Sequence, residues 1–206
     1  TPTLLTVGSI IRRARSEHTT VWGSGAISEH DIVTAGDFRA VRGHVTRELL
    51  QARGITPPEV VGDPGLLVPL LLQVNRTPEF VVGVVPHFQH YDSLREVIPQ
   101  GALAIDLTWD LPRVMSALAS CELVVSTSLH GLILAHALGI PAVWGSFDES
   151  QGRTLAGDGI KYRDYFSSVD IQLANPTSLG PLAALDSLAL QRSAKASDGL
   201  TCPHPH

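Results

Sequence analysis

Short β-branched runs alternate along this chain with longer stretches in which apolar residues recur every three or four positions. Thr20, Val21 and Trp22 read as a strand that runs into a Gly23-Ser24-Gly25 turn. From Val41 onward, Val45, Leu49 and Leu50 fall at helical spacing until Gly54, which predicts a helix. Glu59, Val60 and Val61 form a short predicted strand, broken by Gly62-Asp63-Pro64, where Asp63 suits a turn-former better than a catalyst. Phe80 to Val85 is predicted as a buried strand that Pro86 ends, and Ala102 to Leu107 as another.

The best-defined stretch follows. Leu111, Val114, Met115, Leu118 and Ala119 share one face of a helix predicted over Asp110 to Ser120. Asp110 stands at the capping position and Pro112 in the tolerant first turn. Next come a strand (Glu122 to Ser126), a polar turn (Ser126 to Gly131), a helix (Leu132 to Leu138) ended by Gly139, and a strand (Pro141 to Trp144). This alternation predicts an α/β fold, a Rossmann-like parallel sheet with helices on both faces. The Gly-rich polar stretch up to Gly159 reads as a loop over one end of the sheet. Lys161 to Ser168 and Leu182 to Leu190 read as closing elements, and residues 193–206 as a disordered tail.

Composition narrows the function classes. With 206 residues, 44% hydrophobic and 17% charged, the chain can build one sizeable core, or a core and part of a second domain. The net charge of −5 and the lack of any Lys/Arg run argue against nucleic acid as a partner. Cys121 and Cys202 have no CxxC spacing, so neither a disulfide framework nor a zinc cluster is expected, and a reducing cytoplasm is the default. Leu66 to Val74 is the longest apolar run and Pro69 interrupts it; spanning a bilayer takes ~20 apolar residues, so no integral membrane segment is expected.

The turn from Ser126 to Gly131 carries the most chemistry. It joins the carboxyl end of a buried strand to a helix, and in open α/β sheets ligands bind along that edge. A helix start offers N–H groups and partial positive charge suited to phosphate or carboxylate. Ser126, Thr127 and Ser128 add hydroxyls, Gly131 permits close approach, and His130 supplies a proton-carrying group. A Ser/Thr-rich helix cap with a structural histidine fits the same residues. His87, His90 and Asp92, after the strand ending at Val85, form a second candidate group, with His90 better read as part of a polar loop. Gly23-Ser24-Gly25 could let backbone approach a ligand, and His136 reads as a core histidine.

Four strings carry a family resemblance. The segment from Glu122 to Pro141, containing Ser126-Thr-Ser-Leu-His-Gly131, closely resembles the signature of the polysaccharide pyruvyl transferases. Val41 to Leu49 and Gly62 to Leu67 are similar to further family motifs, and Lys161 to Ser168 to the closing segment of a bacterial exopolysaccharide subgroup. The order is that of the family, from about Gly8 to Ser168.

The resemblance implies a carboxyl-terminal half like that of a GT-B glycosyltransferase, with phosphoenolpyruvate as donor substrate and no metal or other cofactor. His130 falls on the family's general acid, with Leu129 and the other residues of the turn around the donor. Arg42 falls on an arginine that binds the donor's acidic groups. Many relatives carry Arg where this chain has Ser128, which makes Lys161 and Arg163 candidates for the missing cation. His87 corresponds to a Pro-His pair of relatives. The implied acceptor is a sugar or a lipid-linked oligosaccharide, which would place the protein in the cytoplasm or at the inner face of the membrane, with room for a homo-oligomer.

Residues 1–40 are then expected to end a shortened amino-terminal domain, with 41–192 as the donor-binding domain. Two other readings compete: a GT-B glycosyltransferase using a nucleotide sugar, with Asp148 and Glu149 as its acidic candidates, and a non-catalytic truncated homologue.

Overall fold

The computed structural model describes residues 1–147, 159–172 and 175–181. Its strands are β1 (Thr3–Leu5), β2 (Arg15–Trp22), β3 (Ala35–Ala40), β4 (Phe80–Val85), β5 (Ala102–Ala104), β6 (Cys121–Ser126), β7 (Ala142–Ser146) and β8 (Thr177–Ser178). Its helices are α1 (His44–Ala52), α2 (Val68–Leu71), α3 (Tyr91–Val97), α4 (Leu111–Ala119), α5 (Leu129–Ala137) and α6 (Ile160–Ser168). Parallel sheets flanked by helices make this an α/β protein of the Rossmann-like kind. The chain forms two compact units, Thr1–Leu66 with Leu155–Leu173, and Leu67–Thr154 with Ala174–His206. The boundary expected after residue 40 falls inside the first.

In the first unit β1, β2 and β3 lie side by side, all parallel. Leu5, Ile11, Val21, Val33, Val41 and Leu50 form its core together with Ile160 of α6. Helix α1 begins at His44, three residues later than the periodicity predicts. The reason lies in Val41, whose backbone makes a parallel bridge to Val61 and so stays extended. That bridge is all that forms of the strand expected at Glu59 to Val61.

In the second unit the strand order is β5-β4-β6-β7-β8, all parallel. Renumbered along the chain, that is 2-1-3-4-5. The chain leaves β4 through α3 toward β5, then crosses back through α4 to β6 on the other side of β4. Crossovers of this kind are almost always right-handed, so reversing their direction puts their helices on opposite faces. Buried residues on both faces of the strands agree. Val82, Val84, Leu123, Val125 and Val143 belong to one core, and their neighbours Val85 and Val124 are also fully buried.

Helix α4 forms as predicted, and Asp110 accepts a hydrogen bond from the Arg113 N–H (3.0 Å). Leu111, expected on its buried face, is exposed instead. Strand β5 stops at Ala104, short of the expected Leu107. Among the described residues no helix is long and apolar enough to cross a membrane. The predicted helix at Leu182 to Leu190, the tail, Cys202, Asp148 and Glu149 lie outside the described residues.

Candidate functional site

The carboxyl ends of β4 and β6 meet where the winding of the second sheet reverses, with Val85 opposite Ser126. Connections that depart in opposite directions leave a crevice there, the usual ligand position in doubly wound sheets. His87 follows one strand and the Ser126–Gly131 turn follows the other.

Backbone bonds sew the two together. The Thr127 N–H donates to the Val85 carbonyl (3.0 Å), and the His87 N–H donates to Thr127 Oγ1 (2.9 Å). Ser126 Oγ is fully buried, lies 2.9 Å from the Val85 carbonyl and 2.7 Å from that of Ser128, and accepts the Ser128 N–H. Sequence reasoning expected three ligand-facing hydroxyls. Two of them, Ser126 and Thr127, brace the turn from within. Ser128 is half-buried at the N-cap of α5, and its own side chain makes no capping bond.

Helix α5 begins at Leu129, so Leu129, His130 and Gly131 belong to its first turn rather than to the preceding loop. Leu129 is buried and His130 half-buried. Most of the helix is enclosed, including Leu132, Ile133 and His136, and such all-round burial matches its nearly uniform apolar sequence. Gly139 ends it in a left-handed conformation (φ 65°), with its own N–H on the His136 carbonyl and the Ile140 N–H on that of Ala135. Gly131 has a packing reason to be glycine. A Cβ there would overlap Ser126 Oγ and come within 2.7 Å of Val85 Cγ1.

Arg42, Lys161 and Arg163 belong to the first unit, and the residues above to the second. Arg42 is fully buried. Its Nε donates to Asp164 Oδ2 (2.9 Å), one terminal nitrogen to Ser9 Oγ (2.6 Å) and the other to the Ala26 carbonyl (2.6 Å). The guanidinium that the resemblance assigns to the donor is thus engaged inside the protein. Gly25 is shaped by the same group, since a Cβ there would lie 2.5 Å from Arg42 Cζ. Burial, and then the charge of Arg42, lower the pKa of Lys161, whose Nζ sits 5.2 Å from the centre of the Tyr162 ring. Arg163 pairs with Glu29 at the surface (2.8 Å).

Asp164 escaped sequence reasoning, although one signal was present. It is a lone acid among Tyr162, Tyr165 and Phe166, all buried on a short helix. Asp63 makes the expected turn, accepting the Gly65 N–H (2.9 Å).

Parallel sheets between helices, with a Ser/Thr/His turn at the winding reversal of one of them, define an α/β protein of the Rossmann-like class. The sequence profile of the polysaccharide pyruvyl transferases matches residues 30–146, and the chain belongs to that family of transferases. It is also 34% identical over 179 residues to an uncharacterised protein of Acanthamoeba polyphaga mimivirus. That alignment covers 81% of this chain and 60% of the relative, so the chain spans less than two thirds of the relative's length. No solved structure matches it.

Proposed function

We propose that the protein transfers pyruvate from phosphoenolpyruvate to a sugar of an exopolysaccharide or of its lipid-linked precursor, forming a ketal and releasing phosphate. Membership of the family supports the reaction class. The single observation that carries the site is the His130-bearing turn at the β4–β6 winding reversal, which leads directly into the first turn of α5.

In this reading the donor's phosphate or carboxylate sits against the first turn of α5, where N–H groups and the helix dipole favour an anion. Ser128 adds a hydroxyl. His130 protonates the enol methylene, which becomes the methyl group. The electron-poor carbon then bonds to one sugar oxygen and, as its bond to the phosphate oxygen breaks, to a second. Of the two protons lost by the sugar hydroxyls, one replaces that given up by His130 and the other leaves with phosphate. Such proton transfer contributes about 100- to 10,000-fold to rate. Arg42 serves as an internal counter-ion here, and Lys161 and Arg163 lie outside this reading.

Calorimetry with phosphoenolpyruvate and with a nucleoside diphosphate tests it, followed by phosphate release in the presence of methyl galactoside or glucoside. Binding of phosphoenolpyruvate with hexoside-dependent phosphate release is expected. Binding of the nucleoside diphosphate alone would instead indicate a nucleotide-sugar glycosyltransferase.

A further inference from the structure

Phe88 is a large aromatic side chain left 61% exposed at the functional edge of the second sheet. It sits three residues after the end of β4, beside the winding reversal that carries the candidate site. The residue is held in place. Its ring lies 4.5 Å from the His87 imidazole, and the turn is closed by the His90 N–H on the His87 carbonyl (2.8 Å). His87 is in turn fixed to Thr127 (2.9 Å).

Phe88 and the half-buried Tyr91 and Trp109 all follow strands that end on this edge, and together we take them as one aromatic ledge. Tyr91, at the start of α3, meets Trp109 edge-on with centres 5.9 Å apart. Trp109 follows β5 on the same edge, and the Arg113 guanidinium covers its ring at 3.9 Å. The aromatic rings therefore come with a phenol, an imidazole and a guanidinium, all of which make hydrogen bonds in their own plane.

We propose that this ledge is the acceptor subsite and that one pyranose ring of the carbohydrate stacks on Phe88; this rests on the pyruvyl transferase reading. A pyranose has a face of C–H groups and a rim of hydroxyls, matching an apolar ring with a polar fringe. Phosphoenolpyruvate is a small polyanion with no use for an exposed phenyl group. A lipid tail would want a continuous aliphatic groove, which the interleaved polar groups interrupt. The position also suits transfer, because His87 backs Phe88 and is tied to the turn that bears His130.

Saturation-transfer NMR of the full chain with methyl β-galactopyranoside and methyl β-glucopyranoside tests the subsite without requiring turnover. Saturation should reach the ring C–H protons of at least one hexoside. Phe88→Ala should weaken that hexoside about tenfold, Phe88→Trp should retain it, and both should bind phosphoenolpyruvate like the wild type in calorimetry. Phe88→Leu, which keeps apolar bulk without a ring, should fall with alanine.

Equal hexoside signals in the wild type and Phe88→Ala, or none in the wild type at millimolar hexoside, would overturn the subsite. So would a loss of self-association in Phe88→Ala, which would assign the ring to a second copy of the chain. Absence of phosphoenolpyruvate binding beside a Phe88-dependent hexoside signal would instead defeat the transferase reading and leave a sugar site.

Discussion

Asp164 accepts the Arg42 Nε–H at 2.9 Å across 122 residues of sequence, and both side chains are completely buried. The same carboxylate receives the Thr46 N–H and the Thr46 hydroxyl, each at 2.7 Å. Thr46 is the third residue of α1, so Asp164 caps that helix from α6 in place of Gly43, which has no side chain to do so. Ser167 adds a second cap, accepting the His44 N–H at 3.0 Å. Asp164→Ala should therefore leave Arg42 charged, buried and without its counter-ion. A loss of about 3–5 kcal/mol is expected in urea unfolding. A loss below about 1 kcal/mol would mean that solvent reaches the pair and screens it.

Gly131→Ala should destabilise the second unit by about 1–3 kcal/mol through overpacking against Val85 and Ser126. Ser126→Ala in the same chain removes one of the two obstructions and should recover part of the loss. Thermal melts of the two single variants and the double variant check this, and strict additivity would show that the contact is relieved by backbone movement.

His130→Gln should reduce turnover about 100- to 10,000-fold while phosphoenolpyruvate affinity changes little. Phosphate-release kinetics and calorimetry separate the two effects. Full turnover in this variant would move the acid to another group.

Alkaline pH should weaken the fold through Cys121. Burial raises its thiol from 9.0 to about 11, against smaller lowering effects of the Ser120 hydrogen bond and the Arg76 charge. The unfolded thiol loses its proton first, so between these values the unfolded state binds fewer protons and stability falls as pH rises. Lys161 opposes this. Its lowered pKa lets the unfolded amine hold its proton longer, and stability gains as pH climbs toward 10.5. Comparing wild type with Cys121→Ala isolates the thiol: the difference in unfolding free energy should change across pH 9–11 and be flat below it.

Much of the second unit was legible. The β4 run, the Asp110 cap and the Gly139 stop are local signals, and each appears where the sequence predicts it. Strand β3 was not, because Ala35-Gly36-Asp37-Phe38-Arg39-Ala40 has no β-branched residue and owes its extension to pairing with β2. Helix α3 was also missed, since Leu94 is its only buried residue and one apolar position makes no period. At the site, the turn and its histidine were readable from composition and resemblance. The inward use of Ser126 and Thr127 was not, because it depends on the facing carbonyl of Val85 and the backbone of His87.

The sequence by itself determined the alternation of strands and helices, the caps and stops, and the family motifs, since each is written within a few neighbouring residues. Only the tertiary structure decided that β6 lies on the opposite side of β4 from β5, that Gly131 leaves room for Ser126, and that Asp164 neutralises Arg42. Those outcomes depend on groups that meet through strand pairing and core packing, and spacing along the chain carries no record of which distant partner each will find.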